Sequence, residues 1–245
     1  MDPAYPLVHV RSRTVRLRFA VFALLLLLFA AVSLWTWHAP ILTSLGRLLV
    51  EETPPAPADL VAVLDNEVPA AAAAADLLGA GYAPRILLFK PPPGADEKLL
   101  DRLRIPVPNR HELAILVLHR LGVASEAIVV EPVTELDTSI AVQATARYAR
   151  THDVTRVIVI TYRSHTRRAA FLLRHALGRS AVVIVRASPD DFFHPEGWWR
   201  DRRQSREVIM EGIRWINSVL LGDLWREEVE AEIDGPRRDG ALPQR

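Results

Sequence analysis

The chain has 245 residues, half of them apolar, with 24% charged residues and a formal net charge of +1. That length allows one sizeable domain plus appendages, and a near-neutral balance supplies no global field for nucleic acid. The absence of cysteine excludes disulfides, thiolate nucleophiles and cysteine-based zinc or iron–sulfur centres.

The first feature in chain order is an uncharged apolar run from Phe19 to Trp37, FAVFALLLLLFAAVSLWTW. A helix needs about 20 such residues to cross a hydrocarbon core. Arg11, Arg13, Arg16 and Arg18 precede the run and Arg47 is the first cation after it. This asymmetry predicts a cytoplasmic N-terminus and an extracytoplasmic remainder, with Trp35 and Trp37 at the outer interface. A cleaved signal peptide would have a shorter apolar region, about 7–15 residues, and a small-residue cleavage site. Bulky Leu34, Trp35 and Trp37 stand there instead, and the flanking arginines speak against a helix buried in a soluble core. The expected organisation is a basic cytoplasmic segment (1–18), a single-pass transmembrane helix (19–37), a juxtamembrane helix with a stiff proline-rich spacer (38–58), a folded domain (59–225) and a disordered tail (226–245).

Within the domain, strand-length apolar runs alternate with helical patterns. Strands are predicted over 60–64, 85–90, 127–131, 157–160 and 181–185. Helices are predicted from Pro69 to Gly79, from Arg110 to Leu121, from the Asp137-Thr138-Ser139 cap towards Tyr148, and after Ser164. The segment Pro91-Pro92-Pro93-Gly94 breaks the chain after strand two. The strands are apolar throughout, not alternately, which fits a parallel sheet covered on both faces. The fold class is therefore α/β, a Rossmann-like three-layer domain with a mainly parallel five-stranded sheet. A last amphipathic helix carries Ile209, Ile213, Ile216 and Leu220 on one stripe, where a core-facing side is expected.

In such sheets ligands bind beyond the carboxyl ends of the strands, where helix N-termini present free amides and partial positive charge. Two segments meet this condition: Asp137-Thr138-Ser139 after strand three, and Thr161 to Arg168 after strand four, with Ser164 as the expected helix cap. Arg168 has the geometry to clamp a phosphate or carboxylate. His165, three residues earlier, shares its helix face and is the candidate proton shuttle or further anion contact. Asp65 and Asn66 end strand one, Glu112 opens a helix and Glu131 ends strand three, so all four are candidate ligand-facing groups. Capping explains Asn66 and Thr138 as well as binding does, and helix-dipole preference explains Glu112. No HExxH, P-loop, GxGxxG or GxSxG spacing occurs, so no metal site and no particular cofactor follow from the residues.

The segment 160–169, Ile-Thr-Tyr-Arg-Ser-His-Thr-Arg-Arg-Ala, resembles the Val-Thr-Ser-x-Tyr-His-Met-x-Arg-Ala signature of the SanA/ElyC/YdcF family, with Thr161, His165, Arg168 and Ala169 matching in place. Residues 58–64 are similar to that family's opening strand, and 81–88 to its Gly-x-Ala-x-x-Ile segment. Residues 111–123 resemble its Glu-to-Leu-Gly-Val stretch. Glu131, Thr138 and the Arg206-Glu207 pair match single positions. The likeness spans about Ala58 to Leu221. This chain has Asp65-Asn66-Glu67 and Lys90-Pro91-Pro92-Pro93 where the family carries glycines, and Ala141 where it carries an Asn. The resemblance implies a membrane-anchored domain of the bacterial cell envelope, concerned with peptidoglycan and lipid-carrier metabolism, and for one branch a nucleotide-type cofactor. Three readings follow. One is an envelope protein binding a phosphorylated lipid or glycan with His165 in a catalytic role. The second is a non-catalytic, membrane-tethered binding or assembly factor. The third is a nucleotide-binding domain. None involves nucleic acid.

Overall fold

A computed structural model describes residues 10–134, 137–189 and 191–220; the expected disordered tail and the domain's end at 225 lie outside the described residues. The elements in chain order are α1 (Val10–Arg47), β1 (Leu60–Val63), α2 (Val68–Gly79), β2 (Ile86–Lys90), α3 (Ala95–Arg102), α4 (Arg110–Arg120), β3 (Ile128–Pro132), α5 (Thr138–Thr151), β4 (Arg156–Thr161), α6 (Thr166–Leu177), β5 (Val182–Ala187) and α7 (Arg202–Leu220).

The five strands are all parallel, in the order β3-β2-β1-β4-β5. This is the α/β, Rossmann-like sheet expected from the apolar runs. Side chains alternate across each strand, and the sheet accordingly divides two cores. Leu60, Ala62, Leu87, Val157, Val159 and Val185 meet α5 and α6 on one face. Val61, Val63, Ile86, Leu88, Ile158 and Ile160 meet the alanines of α2 and the inner side of α4 on the other. The chain proceeds outward from β1 to β2 and β3, then returns to lay β4 on the opposite side of β1. At that switch, helices on either side leave a crevice beyond the carboxyl ends of β1 and β4.

The turn after β1 solves a local problem with a side chain. Asn66 takes a left-handed backbone, φ 51°, which Asn tolerates better than most residues. Its buried amide accepts from the Phe89 N–H at 3.1 Å and donates to the Phe89 carbonyl. This sequence-predicted ligand contact therefore fastens the β1 turn to β2. Asn66→Gly keeps the backbone conformation and removes only the amide. The expected cost is about 2 kcal/mol of unfolding free energy for the stranded Phe89 groups, read by chemical denaturation.

Three differences from the sequence-based expectations concern how the domain meets its N-terminal helix. First, α1 is continuous from 10 to 47 through Pro40, not split into two helices. It is long and apolar enough to cross a membrane, with none of its apolar span buried. Second, the stiff proline-rich spacer does not stand apart from the domain but is bonded to it. Thr53 donates its N–H to the Val185 carbonyl and its hydroxyl accepts from the Val185 N–H, both at 2.9 Å, and the Ala58 N–H reaches the Tyr82 carbonyl. The end of α1 is also clasped: Trp198 Nε1 donates to the Leu42 carbonyl at 2.7 Å. A Cβ on Gly46 would lie 2.8 Å from the Trp198 ring and 3.0 Å from the Pro195 carbonyl oxygen.

Third, the stripe on α7 forms but faces outward: Ile209, Ile213, Ile216 and Leu220 are 49–74% exposed. The helix is instead seated by Glu211, which is wholly buried, and by Val208 and Trp215, which join a small cluster with Leu42, Leu49, Val50, Phe193 and Trp198. Its inward side carries a carboxylate held by Arg168 and Arg214.

Candidate functional site

Asp65 stands two residues after the end of β1, and Thr161 closes β4 beside it. The Thr161 hydroxyl donates to Asp65 Oδ2 at 2.7 Å, which ties the two diverging loops together. Asp65 keeps partial exposure. Burial raises its pKa, and the nearby charge of His165 and the Thr161 hydrogen bond only partly counter this.

After β4 the chain makes a tight turn over 163–165 before α6 begins. Ser164 is therefore not the cap expected from sequence. It is buried within the turn, its hydroxyl 3.5 Å from Glu207 Oε1, and the residue before α6 is His165, which makes no capping hydrogen bond. The free amides at this helix start are partly engaged by the chain itself. The Arg167 N–H donates to the Leu49 carbonyl at 3.2 Å, and the Arg163 N–H donates to Asp191. Asp137 likewise caps α5, accepting from the Ser139 N–H at 2.7 Å.

Behind the turn lies a buried ion cluster that the sequence did not disclose. Arg168, 4% exposed, gives Nε to Glu211 Oε1 at 2.5 Å and Nη2 to Glu211 Oε2 at 3.4 Å. Its Nη2 also donates to the Thr138 hydroxyl at 3.3 Å, so Thr138 and Arg168 do come together. The guanidinium points inward at a carboxylate of α7. His165 lies between two acids, with Nε2 3.3 Å from Glu207 Oε1 and Nδ1 2.6 Å from Glu211 Oε2. The second approach is short but out of line with the ring N–H, so it acts as a charge contact and not as an aligned hydrogen bond. Burial alone would lower the His165 pKa; the contact and charge of Glu211, then Asp65 and Glu207, raise it overall. Burial would likewise raise Glu211, and His165 and Arg168 together hold it down at about 2. Each of the two groups thus favours the charged form of the other.

His165, Glu207 and Glu211 could offer a metal three ligand atoms within 4.8 Å of one another. Cations of the chain already hold those positions. Arg168 binds Glu211, and Arg214 Nη1 lies 3.4 Å from Glu211 and 3.7 Å from Glu207. The cluster is an ion-pair network in which both acids already have guanidinium partners.

Beside His165 opens a cleft of about 560 Å³, lined by Tyr162, Phe192, Ile209 and Met210 and by Arg203, Arg206 and Arg214, with Glu207 at its edge. Arg203 stacks over the Phe192 ring at 3.7 Å, a placement that leaves its N–H groups at the ring's margin. Among the described residues no carboxylate lies within ion-pair distance of Arg203 or Arg206. Arg214 and His165 are paired with Glu207 and Glu211, so the unpaired positive charge of the cleft lies on Arg203 and Arg206.

The other predicted residues lie apart from it. Glu112 closes a capping box on α4, accepting from the Asn109 N–H at 3.0 Å while Asn109 caps its own amide. Glu131 is on β3, the edge strand three places from β4, where it pairs with Arg147 at 3.4 Å. The signal for Glu211 was a second acid four residues after Glu207 within an otherwise apolar and basic helix, which places both on one side. Comparison with protein families, with curated proteins and with solved structures finds no match to this chain.

Proposed function

We propose that this is a single-pass protein of the bacterial cytoplasmic membrane, N-terminus inside, whose extracytoplasmic α/β domain binds an anionic, phosphorylated ligand of cell-envelope metabolism in the cleft beside His165. The observation that carries the reading is the pair of arginines lining the cleft, Arg203 and Arg206, that no carboxylate among the described residues neutralises. Guanidiniums suit phosphate oxygens because they offer planar, paired donors. The apolar and aromatic walls, Tyr162, Phe192, Ile209 and Met210, suit the lipid or glycan portion of such a ligand. The likeness of residues 160–169 to the SanA/ElyC/YdcF signature supports the same cellular setting.

The non-catalytic form of this reading is favoured by one observation. Both ring nitrogens of His165 face carboxylates, so the ring is held as a charge and lacks the free acceptor a general base requires. In this role His165 positions and polarises the cleft, and Arg168 supports it from behind by holding Glu211. The nucleotide reading makes a distinct demand, tight binding of a nucleotide in preference to simple phosphates.

The test is calorimetric titration of the full-length protein in detergent with inorganic phosphate, a short polyprenyl phosphate and ATP. Arg206→Ala should weaken binding of the phosphorylated lipid by about 10- to 100-fold, the loss of one charge-assisted hydrogen bond at about 1.5–3 kcal/mol. Undiminished affinity in Arg206→Ala would remove the cleft as the site, and selective binding of ATP would favour the nucleotide reading.

A further inference from the structure

We propose that the outward face of α7 lies in the surface of the bilayer that α1 crosses, as an interfacial helix holding the cleft against lipid headgroups. The inference rests on the membrane-anchor reading of α1 and adds a second, separate contact with lipid.

Placement comes first. The chain leaves α1 at Arg47, and residues 49–51 bond to the first turn of α6, where Glu51 N–H donates to the Thr166 hydroxyl at 2.9 Å and Arg167 N–H to the Leu49 carbonyl. That turn follows the carboxyl end of β4, so the anchor arrives at the edge of the sheet that carries the cleft. The segment leading into α7 is held to α1 just beyond its apolar span: the Trp199 ring lies 6.4 Å from that of His38, and Trp198 is bonded to Leu42. Val208 and Trp215 then keep α7 beside the same juxtamembrane residues, Leu42 and Val50.

Chemistry points to lipid as the occupant. With 100° per residue, Ile209, Ile213, Ile216 and Leu220 lie opposite Glu211, the residue that seats the helix. The exposed apolar arc from Val219 to Ile213 covers about 120°, wider than a coiled-coil seam, and it lasts fewer heptads than a stable coiled coil requires. Arg202 and Arg206 continue the same face at the end nearest α1. Every exposed charged residue on α7 is an arginine; of its two acids, Glu211 is buried and Glu207 is half-buried at the cleft. Apolar side chains flanked by arginines are what an interfacial helix needs on an anionic surface. A second copy of this chain would meet the same arginines.

Because the chain has no cysteine, single probes can be placed cleanly. Leu26→Cys, Ile213→Cys and Glu126→Cys, all at exposed positions, would be labelled with NBD in the full-length protein. The labelled chains are then reconstituted into vesicles of phosphatidylcholine with phosphatidylglycerol, and circular dichroism checks the fold. The label at 213 should emit to the blue, lose most of its emission to lipids carrying a doxyl group near the headgroup, and resist iodide. The label at 126, beyond the amino edge of the sheet, should do the opposite. Iodide access at 213 equal to that at 126, with the label at 26 still quenched by lipid, would overturn the docking and leave the anchor standing. Protection of 213 from both quenchers would mean that protein covers the stripe, a second copy or residues 221–245, and would also overturn it. A label at 26 that no lipid quenches would remove the anchor and the docking with it.

Discussion

Glu211→Ala should cost about 3–5 kcal/mol of unfolding free energy, the range for removing one partner of a buried ion pair. The carboxylate is wholly buried and touches His165, Arg168 and Arg214; without it the Arg168 guanidinium keeps its desolvation and loses its charge partner. Most of the loss should return in the double variant Arg168→Met/Glu211→Leu, because apolar groups of similar volume can replace a buried pair at little net cost. Glu131→Ala provides the scale. Its pair with Arg147 is partly solvated, so its removal should cost less than about 1 kcal/mol. Denaturant unfolding of the three variants in one detergent reads all of this. A Glu211→Ala protein as stable as Glu131→Ala would mean that the cluster does not hold α7 in place.

The same cluster should give the domain a stability maximum in mildly acidic solution. The Glu211 carboxyl is depressed from 4.5 to about 2 in the fold. Its contribution is complete above pH 4.5 and is lost as pH falls towards 2, a difference of about 3 kcal/mol. His165 shifts the other way, upward from 6.5. Its contribution is complete below pH 6.5 and disappears as pH rises through the raised value. Asp65, raised from 3.8, has the same sign as His165 and draws the maximum towards the acid end of the interval. Arg168 and Arg214, which face Glu211 from α6 and α7, stay charged throughout. Stability should therefore peak between about pH 4.5 and 6.5 and fall on both sides. Glu211→Gln should flatten the acid limb and His165→Gln the alkaline one. An acid limb of unchanged slope in Glu211→Gln would assign it to other carboxylates.

The sheet was legible in the sequence because strands buried on both faces must be apolar throughout, and runs such as 157–160 have no competing helical reading once Thr161 and the polar turn follow. The crevice was legible for the same reason: parallel order fixes which strand ends lie together. The pocket chemistry was less so. The arginine expected to hold an anion, Arg168, is held by an acid 43 positions downstream in the last helix, a contact that local pattern cannot carry. The helix starts looked like free amides because nothing in the segment 49–51 announces that its carbonyls and amides would bond to α6. The inverted α7 was hidden by the strength of its apolar repeat. Periodicity identifies a helix and its two sides, and the side that turns in here carries a buried glutamate whose partner Arg168 lies on another helix. Asn66 is a middle case: its position at the end of strand one was clear, and its left-handed turn replaces with a side-chain amide the freedom that glycines at that point would supply.

The clasp of Gly46 beneath Trp198 and the stitching of Thr53 to β5 together leave no swivel between anchor and domain. With α1 as the proposed anchor, a domain joined in this way would not sweep a hemisphere above its point of attachment; it would drift in two dimensions at constant altitude, with one rim leading towards the bilayer. Under that proposal, what reaches its cleft would already travel in that thin layer, and neighbours that collide with it laterally would meet the same flanks.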